Sequence, residues 1–224
     1  MTDATVHQKN TLEPRRKPAQ ARSRQRVEGI LDAVAELLVE RGFDAITTRL
    51  MADRAGIPVG SIYQFFPNKY AIFNALGVRY LDRFAQVYKD IVTAEIQDEP
   101  WDELLDRAID AFSKVIYAER GAVILWEGMR NSPELRAAEA QHRASAVDYN
   151  LAILDRVLPH LEPQRRCLIA WVMVRVLDAL LYQASREEDE RKAQVIAELK
   201  QLMKAYVASH LPAEDGSCSG RTPC

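Results

Sequence analysis

Cysteine, histidine and glycine are all scarce in this chain, with three, four and nine copies among 224 residues. Cys167, Cys218 and Cys224 are too few and too scattered to frame a disulfide-stapled domain, and no CxxC pair offers a zinc corner. Cys167 falls in a strongly apolar segment and is expected as a packed small hydrophobe. Cys218 and Cys224 fall in a Gly/Ser/Pro tail expected to be disordered. His7, His142, His160 and His210 have no ligating partner at helical spacing, and HExxH, GxSxG and glycine-rich phosphate loops are missing. No metal or cofactor is implied, and an enzyme is not expected. Long apolar runs are missing too. The most apolar stretch, Leu168 to Leu181, is fourteen residues long and holds Arg175 and Asp178, short of the roughly 20 residues a membrane span needs. The first residues are charged and lack the apolar core of a signal peptide, so a cytoplasmic protein without membrane contact is expected.

Period-two alternation is also lacking, and what is present repeats at helical spacing. The chain is expected to be all-α. Val27, Ile30, Leu31, Val34, Leu37 and Leu38 form one stripe between Ser23 and Arg41, closed by Gly42. A long helix from Tyr70 to about Ala94 carries Ile72, Phe73, Leu76, Tyr80, Leu81 and Phe84. Glu99-Pro100 breaks it. Trp101 to Ala118 is amphipathic, Ala122 to Met129 is a short apolar run, and Ser132-Pro133-Glu134 opens another helix. Residues 164–185 are apolar nearly all round, which demands burial on several faces. Arg175 and Asp178, three apart, can pair with each other or across an interface. A last helix carries Val195, Ile196, Leu199, Leu202, Met203 and Tyr206.

Charge is distributed unevenly. Residues 1–70 hold eleven Lys/Arg and eight Asp/Glu, a net of +3, which leaves −5 for the remainder of a chain whose total is −2. Most of the excess lies in the first 26 residues, where Arg15, Arg16, Lys17, Arg22, Arg24 and Arg26 cluster. A basic arm suits phosphate attraction, and an acidic remainder would be held away from nucleic acid.

Thr47 to Lys69 reads as two short helices hinged at a glycine. Thr47 is a good N-cap for the first, and Ala55-Gly56 is its exit. Pro58 resets the chain before a second helix from Val59 to about Phe66. Ile62, Phe65 and Phe66 point inward, leaving Val59, Ser61, Tyr63 and Gln64 outside. Such a helical hairpin can be buried for its own sake, as scaffold in a ligand-binding or interaction module. The residue types favour the other use: a face with a hydroxyl, an amide and a phenol, and no charge, suits base edges and phosphates rather than bulk solvent.

From about Ser23 to Leu76 the chain resembles the DNA-binding domain of the TetR family of transcriptional regulators. The resemblance is carried by Ile30-Leu31, Ala35, Gly42-Phe43, Thr47, Ala52, Ala55-Gly56-Ile57, Gly60-Ser61-Ile62-Tyr63, Phe66 and Asn68-Lys69. Met51 and Pro58 depart from it, standing where isoleucine and serine are usual. The resemblance implies a flexible basic arm over 1–21 and a three-helix helix-turn-helix domain over 22–69. A helical effector-binding and dimerisation domain over 70–210 and a tail over 211–224 would follow. It implies a dimeric repressor on a palindromic double-stranded operator, released by a small, largely apolar effector, with the last two helices forming the homodimer. Arg49 would bond the O6/N7 edge of guanine, Val59 a thymine methyl, and Ser61 and Gln64 base edges beside the bare Gly60. Thr47, Thr48, Tyr63 and Lys69 would hold phosphates, with Arg22 and Arg24 reaching phosphate or the minor groove.

The middle of the chain collects the residues of a ligand cavity: Trp101, Phe112, Tyr117, Trp126, Met129, Tyr149 and Trp171, with Met173 and Tyr182. Arg130, His142 and Asp178 are the polar groups expected to orient a ligand there, with Glu127 and Asp148 as further candidates. Aromatics and methionines at this spacing equally serve as core.

Overall fold

A computed structural model describes residues 12–14, 21–93, 99–119 and 121–212. The segments expected to form most of the basic arm and the tail, including Cys218 and Cys224, lie outside the described residues. Among the described residues there are nine helices and no strand. They are α1 (Ala21–Arg41), α2 (Thr48–Arg54), α3 (Val59–Phe65), α4 (Lys69–Thr93) and α5 (Trp101–Ala118), then α6 (Ala122–Asn131), α7 (Arg136–Val157), α8 (Pro163–Ala184) and α9 (Asp189–Ala208).

The expected stripe on α1 is buried from Ile30 to Leu38 and packs over α2 and α3. Ile46, Met51, Ile62, Phe66, Ile72, Phe73, Leu76 and Tyr80 complete this first core, all fully buried. Met51 fills its place without residual exposure, so the departure from isoleucine is absorbed as a volume-conserving swap. The core also takes Ala122, Leu125 and Met129 from α6, so α6 packs against the helix-turn-helix rather than lying only in the second domain. Gly121, at φ +75°, sets the start of α6 directly on α1: a β-carbon there would stand 2.8 Å from Leu38 Cβ and 2.9 Å from the Ala35 carbonyl oxygen.

A second core joins α5, α7, α8 and α9 through Leu105, Ile109, Val147, Leu154, Ile169, Met173, Leu181, Leu199 and Met203. A third, smaller one links the far end of α4 at Ile91 to Leu104, Ala108 and Ile153. Thus α4 runs from the first core to the third.

Two expectations for α8 need correction. Cys167 is exposed, not packed, because α8 is covered by α7 and α9 on one side only. Arg175 and Asp178 do not pair with each other: Asp178 accepts from Arg143 of α7, while Arg175 lies over the Trp171 ring, 4.9 Å from its centroid. By length and composition alone α8 is long and apolar enough to cross a membrane, a test that the core helix of a bundle also passes. Its packing against α7 and α9 and the Asp178–Arg143 ion pair set it within the helical bundle.

Candidate nucleic-acid interface and helical cavity

The α2–α3 unit is fixed by local chemistry. Thr47 is extended (φ −115°, ψ 156°) and its Oγ1 accepts from Leu50 N at 3.2 Å, capping α2. At the other end Gly56 takes φ +64°, letting Ile57 N donate to Ala52 O at 3.1 Å and Gly56 N to Asp53 O at 3.3 Å. A residue with a β-carbon would be strained in that left-handed turn. Pro58 begins α3 with no side-chain cap, as its substitution for serine implies. Asn68 Oδ1 then accepts from Ala71 N at 2.9 Å, capping α4. Arg54 reaches back to Glu36 and Glu40 on α1, a half-exposed clamp that fixes geometry more than it adds stability.

With Ile62, Phe65 and Phe66 buried, α3 turns Val59, Tyr63 and Gln64 outward, and Ser61 is half-buried beside them. A β-carbon on Gly60 would meet nothing within 4 Å, so this face offers bare backbone to an approaching surface. Arg49 is exposed on α2 with Thr48 half-buried next to it, and Arg22 and Arg24 are exposed at the start of α1. Lys69 is partly diverted: its Nζ donates to the Ile46 carbonyl at 3.3 Å, tying α4 to the loop before α2. The lysine therefore braces the unit as well as lying near its surface.

Between α4, α5, α6, α7 and α8 lies a cavity of about 150 Å³. Of the ten residues expected to bind a ligand, Phe112, Trp126, Arg130, His142, Tyr149 and Asp178 line it. The other four lie elsewhere. Met129 is fully buried in the first core. Tyr117 belongs to the second core, its hydroxyl donating to the Leu181 carbonyl at 3.3 Å. Trp101 lines a separate recess of about 20 Å³, together with Phe112 and Met173. Trp171 is 47% exposed on the outer face of α8. Glu127 and Tyr182 do line the cavity, Tyr182 donating to Glu127 Oε2 at 2.6 Å, whereas Asp148 is exposed and lines neither space.

Sequence reasoning missed the most buried charges of the cavity. Arg143 is held between Glu139, one turn earlier on α7, and Asp178 of α8. The side chains of Arg143 and Glu139 are 8% and 9% exposed. A Glu and an Arg four apart look in sequence like a solvated helix face. Burial pushes Asp178 up from the ordinary carboxylate range against the pull of Arg143, and pushes the Arg143 guanidinium down. His142 is buried edge-on to Trp126, and burial lowers its pKa to about 4, so it is neutral near pH ~7. A β-carbon on Gly77 of α4 would stand 2.9 Å from His142 Cε1, so α4 and α7 cross at bare backbone beside the cavity.

An exposed helix-turn-helix packed onto a cavity-bearing helical bundle is the architecture of a DNA-binding regulator. The family model described as "Bacterial regulatory proteins, tetR family" matches residues 30–76, and that for "Tetracyclin repressor-like, C-terminal domain" matches residues 100–206. The crystal structure of a TetR-family transcriptional regulator from Streptomyces coelicolor is 30% identical, with a TM-score of 0.62 over 83% of this chain and 99% of that one. Among curated proteins, the tetracycline repressor protein class A from transposon 1721 of Escherichia coli is 30% identical over 115 residues, 51% of each chain. The HTH-type transcriptional repressor KstR2 of Rhodococcus jostii is 31% identical over 98 residues, 44% of this chain and 47% of that one. These matches span about half the length of the curated relatives. The chain belongs to the TetR family.

Proposed function

We propose that the protein is a dimeric DNA-binding repressor, released from a palindromic operator by a small, largely apolar effector in the cavity. The observation that carries this is the outward face of α3: uncharged, bare-backboned at Gly60, and held rigidly by Ile62, Phe65 and Phe66. It suits a major groove, with Arg49 beside it to read a guanine and Thr48 and Tyr63 to hold phosphates. The curated relatives named above are repressors, which supports the sign of regulation.

Dimerisation is supported by α8 and α9. Leu168 and Trp171 on α8 and Leu202 on α9 are each about half exposed. Leaving such a face in water forgoes roughly 25 cal/mol per Å² of apolar surface. A second copy covering it would form a four-helix bundle and set two α3 helices about 34–36 Å apart, one turn of DNA.

Effector control would pass through α6, whose Val123, Trp126, Glu127 and Arg130 line the cavity while Ala122, Leu125 and Met129 sit in the helix-turn-helix core. Linkage then requires ligand and operator to weaken each other by the same factor. The test is a mobility shift with the DNA upstream of the protein's own gene, at low salt and against random DNA. Equal affinity for both DNAs would leave the helix-turn-helix as scaffold and sink the proposal.

A further inference from the structure

We propose that the cavity takes a small amphiphile with an apolar, ring-sized body and a positively charged, hydrogen-bond-donating head, held at Asp178 and Glu139 rather than at an arginine. This rests on the effector role proposed above and specifies its chemistry.

The lining charges decide the sign. Three carboxylates, Glu127, Glu139 and Asp178, face two guanidiniums, Arg130 and Arg143. Burial keeps His142 neutral, so it adds no cation. Arg143 is already committed, with one terminal nitrogen on Asp178 and the other on Glu139. Its Nε is buried without a partner and does not open on the cavity. An incoming carboxylate at Arg143 would have to share its terminal nitrogens with these two partners and would set a third negative charge beside them. Arg130 is half exposed, and its Nε lies 3.8 Å from the Glu139 oxygen that Arg143 also holds.

Acceptors, by contrast, are in surplus. Each ionised carboxylate has about four lone-pair sites. Asp178 and Glu139 share the Arg143 guanidinium, Arg130 lies farther off, and Arg175, exposed over the Trp171 ring, acts on Asp178 from outside the cavity. Asp178 remains undercompensated, since burial still raises its pKa despite Arg143. Asn150 donates one amide N–H to the Ala146 carbonyl at 2.9 Å and lines the cavity with its second N–H and its carbonyl oxygen. A ligand that brings donors and positive charge completes this wall. Phe84, Phe112, Trp126 and Tyr149 enclose the remaining space, and aromatic faces also attract a cation. A dry cavity of about 150 Å³ accommodates one benzene ring, which matches the size found here.

The test titrates the full chain by calorimetry at neutral pH with phenylbutylamine, phenylbutanol and phenylbutyrate, one body with three heads. The amine is expected to bind about tenfold more tightly than the alcohol, and the carboxylate more weakly than either. Asp178→Asn should cut the amine's advantage over the alcohol several-fold, with Glu139 left to hold the remainder. Tightest binding by the carboxylate, or an amine advantage that Asp178→Asn leaves undiminished, overturns the head-group assignment alone. Binding of none of the three overturns the effector role of the cavity and this assignment with it. Should Asp178→Asn fail to fold, the order of the three probes on the unaltered chain decides.

Discussion

The ring of Phe43 rests on the bare α-carbon of Gly128: a β-carbon there would come within 2.1 Å of Phe43 Cγ. Phe43 cannot easily yield, because its other face stacks on Phe73 at 4.4 Å between centroids. Alanine at position 128 would gain up to about 1 kcal/mol of helix propensity. Overpacking of a fixed ring costs about 1–3 kcal/mol and is expected to win. Gly128→Ala should therefore lower stability in urea unfolding, and Phe43→Leu should relieve it in the double variant. Additive losses would show that the two positions do not press on each other.

Arg49 and Lys69 should fail differently. Arg49→Ala is expected to cost about 1–3 kcal/mol on the operator and to relax preference at one base pair. Lys69→Ala should weaken all DNA alike and reduce the salt slope by roughly one unit. Because Lys69 also bonds the Ile46 carbonyl, its variant should melt slightly earlier. Competition binding with single-base operator variants at two salt concentrations separates these outcomes; a uniform loss for both would remove the division of labour.

A charge in the exposed α8 face should abolish the proposed dimer. Trp171→Glu removes the ring over which Arg175 lies and sets a carboxylate among Leu168 and Leu202. Sedimentation is expected to report a monomer, still helical by circular dichroism, with operator affinity reduced by a factor of about 100 or more. An unchanged sedimentation coefficient would place the interface elsewhere.

Acid should loosen the protein through His142. Its folded pKa of about 4 lies below the ordinary 6.5, so the unfolded chain takes a proton that the folded one refuses. That contribution is complete above the unfolded value and is lost as pH falls towards the folded one. Between pH ~7 and pH ~5 it amounts to about 2 kcal/mol. Asp178 acts oppositely, its raised pKa giving stability at low pH that is lost as pH rises through the folded value. Urea unfolding of the unaltered chain and of His142→Leu at both pH values isolates the histidine; equal losses in the two proteins would exclude it.

The helix-turn-helix was legible because its information is local. Thr47, Gly56 and Pro58 each act on a backbone within a few residues, and the α1 and α3 stripes follow the helical period. The cavity was only partly legible because its information is tertiary. Phe112, Trp126 and His142 have the residue types of a pocket wall, but Met129 has them too and turns to the first core instead. Arg143 meets Asp178 across 35 positions, and nothing in the spacing of either announces it. Leu81 and Phe84 of α4 also line the cavity, though as a stripe they read as ordinary core. Cys167 and Trp171 show a further limit: an apolar pattern marks a surface to be covered, without saying whether the same chain covers it.

The two faces of α6 carry a consequence for how such a protein diversifies. Val123, Trp126, Glu127 and Arg130 border the cavity, while Ala122, Leu125 and Met129 are locked into the core beneath α1 and α4. Substitution at Val123, Glu127 or Arg130 alters the shape and charge of the cavity without replacing a residue of the core that aims α3, whereas Trp126 packs against both. Lineages descending from this chain can therefore explore new cavity contents while their DNA-facing surface is inherited unchanged, and the ten residues of α6 are where the two histories part.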